Sequence, residues 1–482
     1  MRVSVATVAR RRTELGLLVM ALILTVGAYT LVSLGRTATI PTDLRYFGAG
    51  IAVLLGVAHL AVRRVARFAE ATLLPVAGLL NGLGYVMIVR LKGELGSKQM
   101  WWTAAGIVAF IATLVVVHNV RRLEYLRYTF AIGGVILLVL PLIPGVGYEL
   151  NGSRIWAHIG PISFQPGEIA KITLAVFFAS YLVEKKELLA LTRRRSFGIA
   201  FPEARHLAPI VMAWLGSIGI MILQKDLGSS LLFFSLFVVL LWVATNRASY
   251  LLVGTAMFFA GATVAYQAFG HVQVRVQTWI DPWPTASGKG FQLIQSLYAL
   301  GSGGITGTGL ALGDPARIPA SYNDFIFSAF GEELGLAGTT AILVLFFLLV
   351  GTGLRIALRA EQSFDKLLAT GLTAIIGLQT FIIVGGVTRL VPLTGVTLPF
   401  VSYGGSSLVV NYVILALLMR ISHDTNLRVA GEIPLTRREK RRNTRADKVD
   451  LATASDQTTV LGNAMPGNAM PGNATSDSER RS

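Results

Sequence analysis

Few residues in this 482-residue chain can do chemistry, and most of those sit in apolar surroundings. Asp324 is a lone carboxylate in Ser321-Tyr322-Asn323-Asp324-Phe325-Ile326-Phe327, where a polar loop runs into an apolar helix. Partial burial raises a carboxyl pKa and a nearby cation lowers it again, which poises such a group as a general base. The same position also suits a helix cap. Glu168 and Lys171 follow Gln165-Pro166-Gly167 and share one face of a predicted spanning helix. Charges at that depth are costly unless paired or facing water, so they mark either a site or an interfacial ion pair. Asp226, in Gln224-Lys225-Asp226-Leu227-Gly228, fits a site residue or an N-cap. Glu332 and Glu333 lie two turns into the helix after Asp324, where at least one must find a partner.

Other stretches offer anion chemistry. Arg275 and Lys289 flank Gly-rich runs at 301–304 and 307–309, a combination that can cradle phosphate oxygens, although such glycines more often simply make turns. Ser402-Tyr403-Gly404-Gly405-Ser406-Ser407 opens the last apolar helix, whose N-terminal amides favour an anion or an ordinary serine cap. Trp156 and Arg154 stand in a long polar loop, 144–166, and the stretch 291–300 has the spacing of a short amphipathic or re-entrant helix. With no cysteine, thiol catalysis, disulfides and Cys-based metal sites are excluded. The six histidines show no metal-ligand spacing, and no phosphate-loop or dinucleotide fingerprint occurs.

The elements that must position these residues are membrane helices. Hydrophobic residues make up 53% of the chain and charged ones 14%, with a mean hydropathy of +0.61. The apolar residues come in blocks near 14–34, 44–62, 71–91, 101–119, 124–143, 167–184, 207–224, 228–245, 249–270, 327–352, 366–388 and 404–421. Most reach the length of about 20 residues that a hydrocarbon core demands. The predicted fold is therefore an all-α polytopic membrane protein of about 12 spans. The first block follows Arg10-Arg11-Arg12 and reads as a retained anchor, because it is long and lacks a small-residue cleavage site.

A net charge of +17 would suggest nucleic acid on a soluble chain. Here it falls on one set of joints: Arg63, Arg64 and Arg67; Arg121, Arg122 and Arg127; Lys185, Lys186 and Arg193–Arg195; Arg355 and Arg359. Roughly 31 of the 43 Lys and Arg lie on that side, which places both termini in the cytoplasm and excludes a nucleic-acid partner. The candidate residues fall on the opposite face, in the loops 144–166, 271–326 and 389–403. The tail from 425 is basic at 437–442 and then repeats Asn-Ala-Met-Pro-Gly without apolar periodicity, the pattern of a disordered segment. Its basic run would meet anionic membrane lipids, a partner, or only solvent. Three segments result: 1–67 with two extra helices, a core at 68–424, and the tail at 425–482.

The order of these motifs resembles the SEDS family of shape, elongation, division and sporulation proteins, which includes RodA, FtsW and SpoVE. The carriers are Gln165-Pro166-Gly167-Glu168 with Lys171, Gln224-Lys225-Asp226-Leu227-Gly228, the string from Asp324 through Glu332-Glu333-Leu334-Gly335, and Pro399-Phe400-Val401-Ser402-Tyr403-Gly404-Gly405-Ser406-Ser407. The resemblance implies a peptidoglycan glycosyltransferase of the plasma membrane that polymerises lipid II, releases undecaprenyl diphosphate and works with a class B penicillin-binding protein. It implies Asp324 as the catalytic base and Trp156, Glu168, Lys171, Asp226 and Arg275 as substrate-site residues on the extracytoplasmic face. Ser402, Tyr403 and Ser406 join that set through their motif. It further implies a core of about ten helices, leaving the first two as an extension.

Departures from the family pattern are Ile155 in place of an Arg, with Arg154 one position earlier, Gly167 for Ser, Lys225 for Pro and Thr308 for Lys. They displace a phosphate-binding cation to Lys225 or Lys289. A divalent Mg or Mn ion is open as a cofactor. The Arg-rich, Lys-poor composition and the extra helices lean toward the elongation branch in a GC-rich, actinobacterial-like bacterium. A lipid II flippase and a non-catalytic scaffold for a transpeptidase are the competing functions. The clustering of charges at the outer face, with no visible inverted repeat, weighs against transport.

Overall fold

The computed structural model describes residues 2–430 except 151–152, 161, 191–193, 197–198, 202–214, 217–218 and 220–221. Its helices are α1 (Arg2–Thr37), α2 (Leu44–Val65), α3 (Leu73–Leu91), α4 (Gly96–Val116), α5 (Arg121–Tyr125), α6 (Arg127–Val139) and α7 (Pro166–Ala190). They continue with α8 (Leu227–Thr245), α9 (Ser249–Ala268), α10 (Gly270–Ile280), α11 (Phe291–Gly303), α12 (Ile326–Arg359), α13 (Ser363–Val387) and α14 (Gly405–Val429). Ten helices among the described residues are long and apolar enough to cross a membrane. Helical backbone is what apolar runs must adopt in lipid, where no water can satisfy a free N–H or C=O. The segment predicted at 124–143 is a shorter apolar helix, Arg127–Leu142. The span predicted at 207–224 lies almost wholly outside the described residues, as do the basic run at 437–442 and the repeats after it. Residues 2–426 gather into one compact unit.

Helices α3, α13 and α14 are the most enclosed and α9 the least. The core of α12–α14 is built from Phe325, Phe330, Phe364, Phe400 and Tyr412, all fully buried. The two extra helices rest on α3 through a Tyr29–Phe47–Tyr85 aromatic stack. Gly82 is needed there because any side chain on it would strike Thr25 of α1. Glu14 of α1 is completely buried and pairs with His59 and Arg63 of α2, so the extension carries its own compensated charge cluster.

The loops predicted to hold the chemistry gather at one end of the bundle. The 144–166 loop is a three-stranded antiparallel sheet of β1 (Gly147–Leu150), β2 (Ser153–Ile159) and β3 (Ile162–Phe164), with Tyr148 opposite Trp156. A second hairpin, β4 (Arg194–Ser196) and β5 (Ile199–Phe201), follows α7. Helix α11 fills the position predicted for a short amphipathic helix, and its buried Ser296 bonds both Ser328 of α12 (2.6 Å) and the Val387 carbonyl of α13 (3.0 Å). Glu333 finds Arg90 of α3 at 3.0 Å and also accepts from the Ala311 amide. Glu332 accepts from the Asp314 amide. The two adjacent acids thereby pin the 304–314 loop against the first turns of α12, which kinks at Gly335 (φ 65°).

Candidate active site

Asp324 sits immediately before α12, and the first helical residues, Ile326 and Phe327, are buried together with Phe325. That apolar anchor fixes where the carboxylate stands. Asp324 itself is half-buried. Burial pushes its carboxyl up to about 6, with Arg275 and its own backbone amide pulling in the opposite direction. Ser402 ties the neighbouring backbone in place: its hydroxyl donates to the Asn323 carbonyl at 2.6 Å and accepts from the Leu398 amide at 2.9 Å. The Tyr403 amide donates to the Tyr322 carbonyl at 2.9 Å, and the two rings meet edge-on at 6.0 Å. Ser402 and Tyr403 are thus brought to Asp324 as supports of its loop.

The other wall is the strap 389–403. Gly395 has φ 78°, and a Cβ on it would lie 3.5 Å from the Asp324 Oδ2. Glycine therefore keeps the strap in a left-handed turn directly beside the carboxylate. Arg275 donates to the Thr394 carbonyl at 3.0 Å, which brings the predicted cation and the predicted base to adjacent points of one loop. Arg275 lies on α10 with His271 one turn before it and Trp279 one turn after. His271 titrates below its usual value because of burial, then because of Arg275 and Lys225. Lys225, Arg275 and His271 therefore form one electropositive patch, with Lys225 exposed and in left-handed backbone (φ 58°).

Glu168 and Lys171 are brought to each other. Glu168 Oε2 lies 2.6 Å from Lys171 Nζ, and both side chains are buried. Lys171 donates on to Gln379 (3.0 Å), whose amide donates to the Thr397 carbonyl of the strap (2.8 Å). Thr397 donates to Ser407 at the start of α14 (2.9 Å), and the Ser406 hydroxyl accepts from the Gln165 amide at the start of α7 (3.0 Å). A charge-anchored polar chain thus runs from α7 through α13 to the strap beside Asp324. The pair acts on the strap from behind.

Asp226 takes the capping alternative, accepting from the Ser229 amide at 3.1 Å at the start of α8. Arg154 is exposed and lies 3.9 Å from Glu149, while its backbone amide donates to the Gln224 carbonyl. Trp156 is half-buried in β2, and Lys289 is exposed in the loop before α11; neither is brought into contact with Asp324 among the described residues. Four residues with no motif to flag them also belong here: Gln379, Arg389, His271, and Lys92, whose ammonium stands 5.6 Å from the Tyr322 ring centre. Gln379 and Arg389 sit in apolar or turn sequence, so only tertiary contact reveals them. Lys92, at the C-terminal end of α3, is legible only as a charge beside a span. Among the described residues no three His, Asp or Glu converge as metal ligands, so the side chains present do not form a cage for a divalent ion.

Comparisons with known proteins cover most of the chain. A family model described as cell cycle protein, covering FtsW, RodA and SpoVE, matches residues 71–427. The peptidoglycan glycosyltransferase RodA of Mycobacterium tuberculosis is 45% identical over 425 residues, 86% of this chain and 91% of that one. The stage V sporulation protein E of Bacillus subtilis is 38% identical over 291 residues, 59% of this chain and 76% of its own. Among solved structures, a chain of a peptidoglycan synthase complex that coordinates polymerization and crosslinking superposes with a TM-score of 0.60 at 26% identity. That likeness covers 74% of this chain and 98% of the other. An aspartate-to-alanine variant of the rod shape determining protein RodA of Thermus thermophilus gives a TM-score of 0.55 at 25% identity, with 74% and 98% covered.

Proposed function

This chain belongs to the family of FtsW, RodA and SpoVE and is a peptidoglycan glycosyltransferase of cell-wall elongation, in which we propose that Asp324 is the general base. The observation that carries the assignment is a half-buried carboxylate pushed up to about 6, held between an apolar helix start and a strap whose Thr394 carbonyl accepts from Arg275. We infer that the donor is lipid II. Its diphosphate is already a good leaving group, so the protein needs no strong acid. Asp324 takes the proton of the acceptor sugar's 4-hydroxyl as that oxygen attacks the anomeric carbon. The new glycosidic bond forms with inversion while the bond to phosphate breaks, and undecaprenyl diphosphate departs. Arg275, with Lys225 beside it, meets the charge that builds on the leaving diphosphate. The proton on Asp324 then passes to water, which restores the base. A divalent ion bound beside the diphosphate would add to the neutralisation of its charge.

A class B penicillin-binding protein is the proposed partner, supported by the likeness to a synthase complex that couples polymerization to crosslinking. The positive joints support cytoplasmic termini and an extracytoplasmic site. The test is polymerisation of labelled lipid II by the full chain with such a partner, comparing wild type with Asp324→Asn. Glycan chains from wild type and none from a folded variant support the base. Equal chains from both would remove Asp324 from that role.

A further inference from the structure

We propose that Arg389 and Trp279 form a bracket that holds Arg275 against the Asp324 strap, making Arg389 a positioning residue for glycosyl transfer. The proposal rests on Asp324 and Arg275 acting as stated above. Arg389 Nε donates to the Trp279 carbonyl at 2.8 Å, and its Nη2 donates to the Ile280 carbonyl. In return the Trp279 indole donates to the Arg389 carbonyl at 3.1 Å. The two residues therefore clasp each other's backbone. Arg275, one turn before Trp279, makes the next contact along the same face, to Thr394. Four residues of strap separate the bracket from that contact, and Gly395 follows at the carboxylate.

Two features point to position rather than to general stability. First, Val272 is the only buried residue of α10, so apolar packing cannot set the register of this eleven-residue helix. Polar contacts must do so, and four of them join it to the strap. Second, Arg389 occupies the left-handed position (φ 63°) that ends α13, with the Leu390 amide returning to the Gly385 carbonyl at 2.7 Å. Glycine is the residue that such a helix end favours, and a side chain there costs about 1 kcal/mol or more. An arginine kept at that cost is explained by what its guanidinium does.

The same geometry supplies the decisive variant. Arg389→Gly preserves the helix end and relieves its strain while removing the guanidinium clasp. If Arg389 is only a turn residue, this variant keeps full activity. If it positions Arg275, the rate of lipid II polymerisation by the full chain with its transpeptidase partner falls about tenfold, because small displacements of reacting groups are expensive in rate. The thermal midpoint stays at or above wild type. The acid limb of the pH–rate profile moves to higher pH, since the cation nearest Asp324 is no longer held. The other groups around the carboxylate are the phenols of Tyr322 and Tyr403, Lys92 over Tyr322, and Lys225 with His271 beyond Arg275. The substitution acts on α10, so Arg275 and His271 shift together, while Tyr322, Tyr403, Lys92 and Lys225 lie on other elements.

Trp279→Phe, which replaces the indole and its N–H by a smaller phenyl ring, should give a smaller shift in the same direction. Arg275→Ala should reproduce the displaced limb, and adding Arg389→Gly to it should change the rate by less than about twofold, because neighbours acting through one group are not additive. Wild-type rate and limb in Arg389→Gly would overturn the bracket, as would a double variant whose loss equals the product of the two single losses. Arg275→Ala at the wild-type rate would overturn the bracket together with the role given to Arg275, a result separate from either of those.

Discussion

The pH behaviour of Asp324 couples catalysis to folding with opposite signs. As a base it must be ionised, so polymerisation should fall as pH drops through about 6, each site taking up one proton as it becomes inactive. For stability, the folded-state value lies above the unfolded value of 3.8. Its contribution is therefore fully present below about 4 and is lost as pH rises through about 6, so the ionised carboxylate opposes folding at neutral pH. Asp324→Asn should accordingly cost about 10²- to 10⁴-fold in polymerisation without lowering the thermal midpoint at pH 7.5. A variant whose midpoint falls by several degrees would show that the carboxylate is structural. Ser402→Ala offers a contrast, since it removes the hydroxyl that joins Asn323 to Leu398. It should lower stability by about 1–2 kcal/mol and reduce activity only partly, as read by denaturation and initial rate together.

Individual helices show which parts of the site the sequence could reveal. The spans follow from apolar run length, and α7, α13 and α14 appear close to where composition places them. The i, i+3 spacing of Glu168 and Lys171 also correctly announces a pair. What the spacing cannot announce is the third member, because Gln379 lies more than two hundred residues away on a helix whose pattern is otherwise apolar. Asp226 shows the converse: its sequence fits both a site residue and a cap, and the bond to Ser229 decides for the cap. The sheet in the 144–166 loop is invisible in the sequence because its strands are only three to seven residues long. Breaking the α7–α13 link should expose its worth. Lys171→Met leaves Glu168 buried without its partner and should cost about 3–5 kcal/mol, whereas combining it with Glu168→Gln should recover much of that loss. Thermal midpoints of the single and double variants in detergent measure it. Additive losses would mean that the pair is not coupled.

Across the whole molecule, one charge pattern supports the sidedness of the site: the positive joints at 63–67, 121–127, 185–195 and 355–359 against the loops carrying Asp324, Arg275 and the strap. The contacts in residues 1–426 gather those two sets at opposite ends. Lys92, Tyr322, Tyr403, Arg275 and Thr394 interlock at one. At the other, Arg420 bonds the Val65 carbonyl and the Phe68 amide donates to His423. The chain has no cysteine, so a single introduced thiol reports its own side without background. Ser287→Cys, in the exposed loop before α11, should react with a membrane-impermeant maleimide in cells whose inner membrane is intact. Ser455→Cys, in the tail, should react only after that membrane is opened. The reverse pattern would put Asp324 on the cytoplasmic side, where the precursor is made rather than polymerised, and would turn the reading toward handling of lipid-linked precursor within the cell. Labelling of both thiols from outside would require an even number of crossings between residues 287 and 455, and would mean that one of α12, α13 and α14 does not cross.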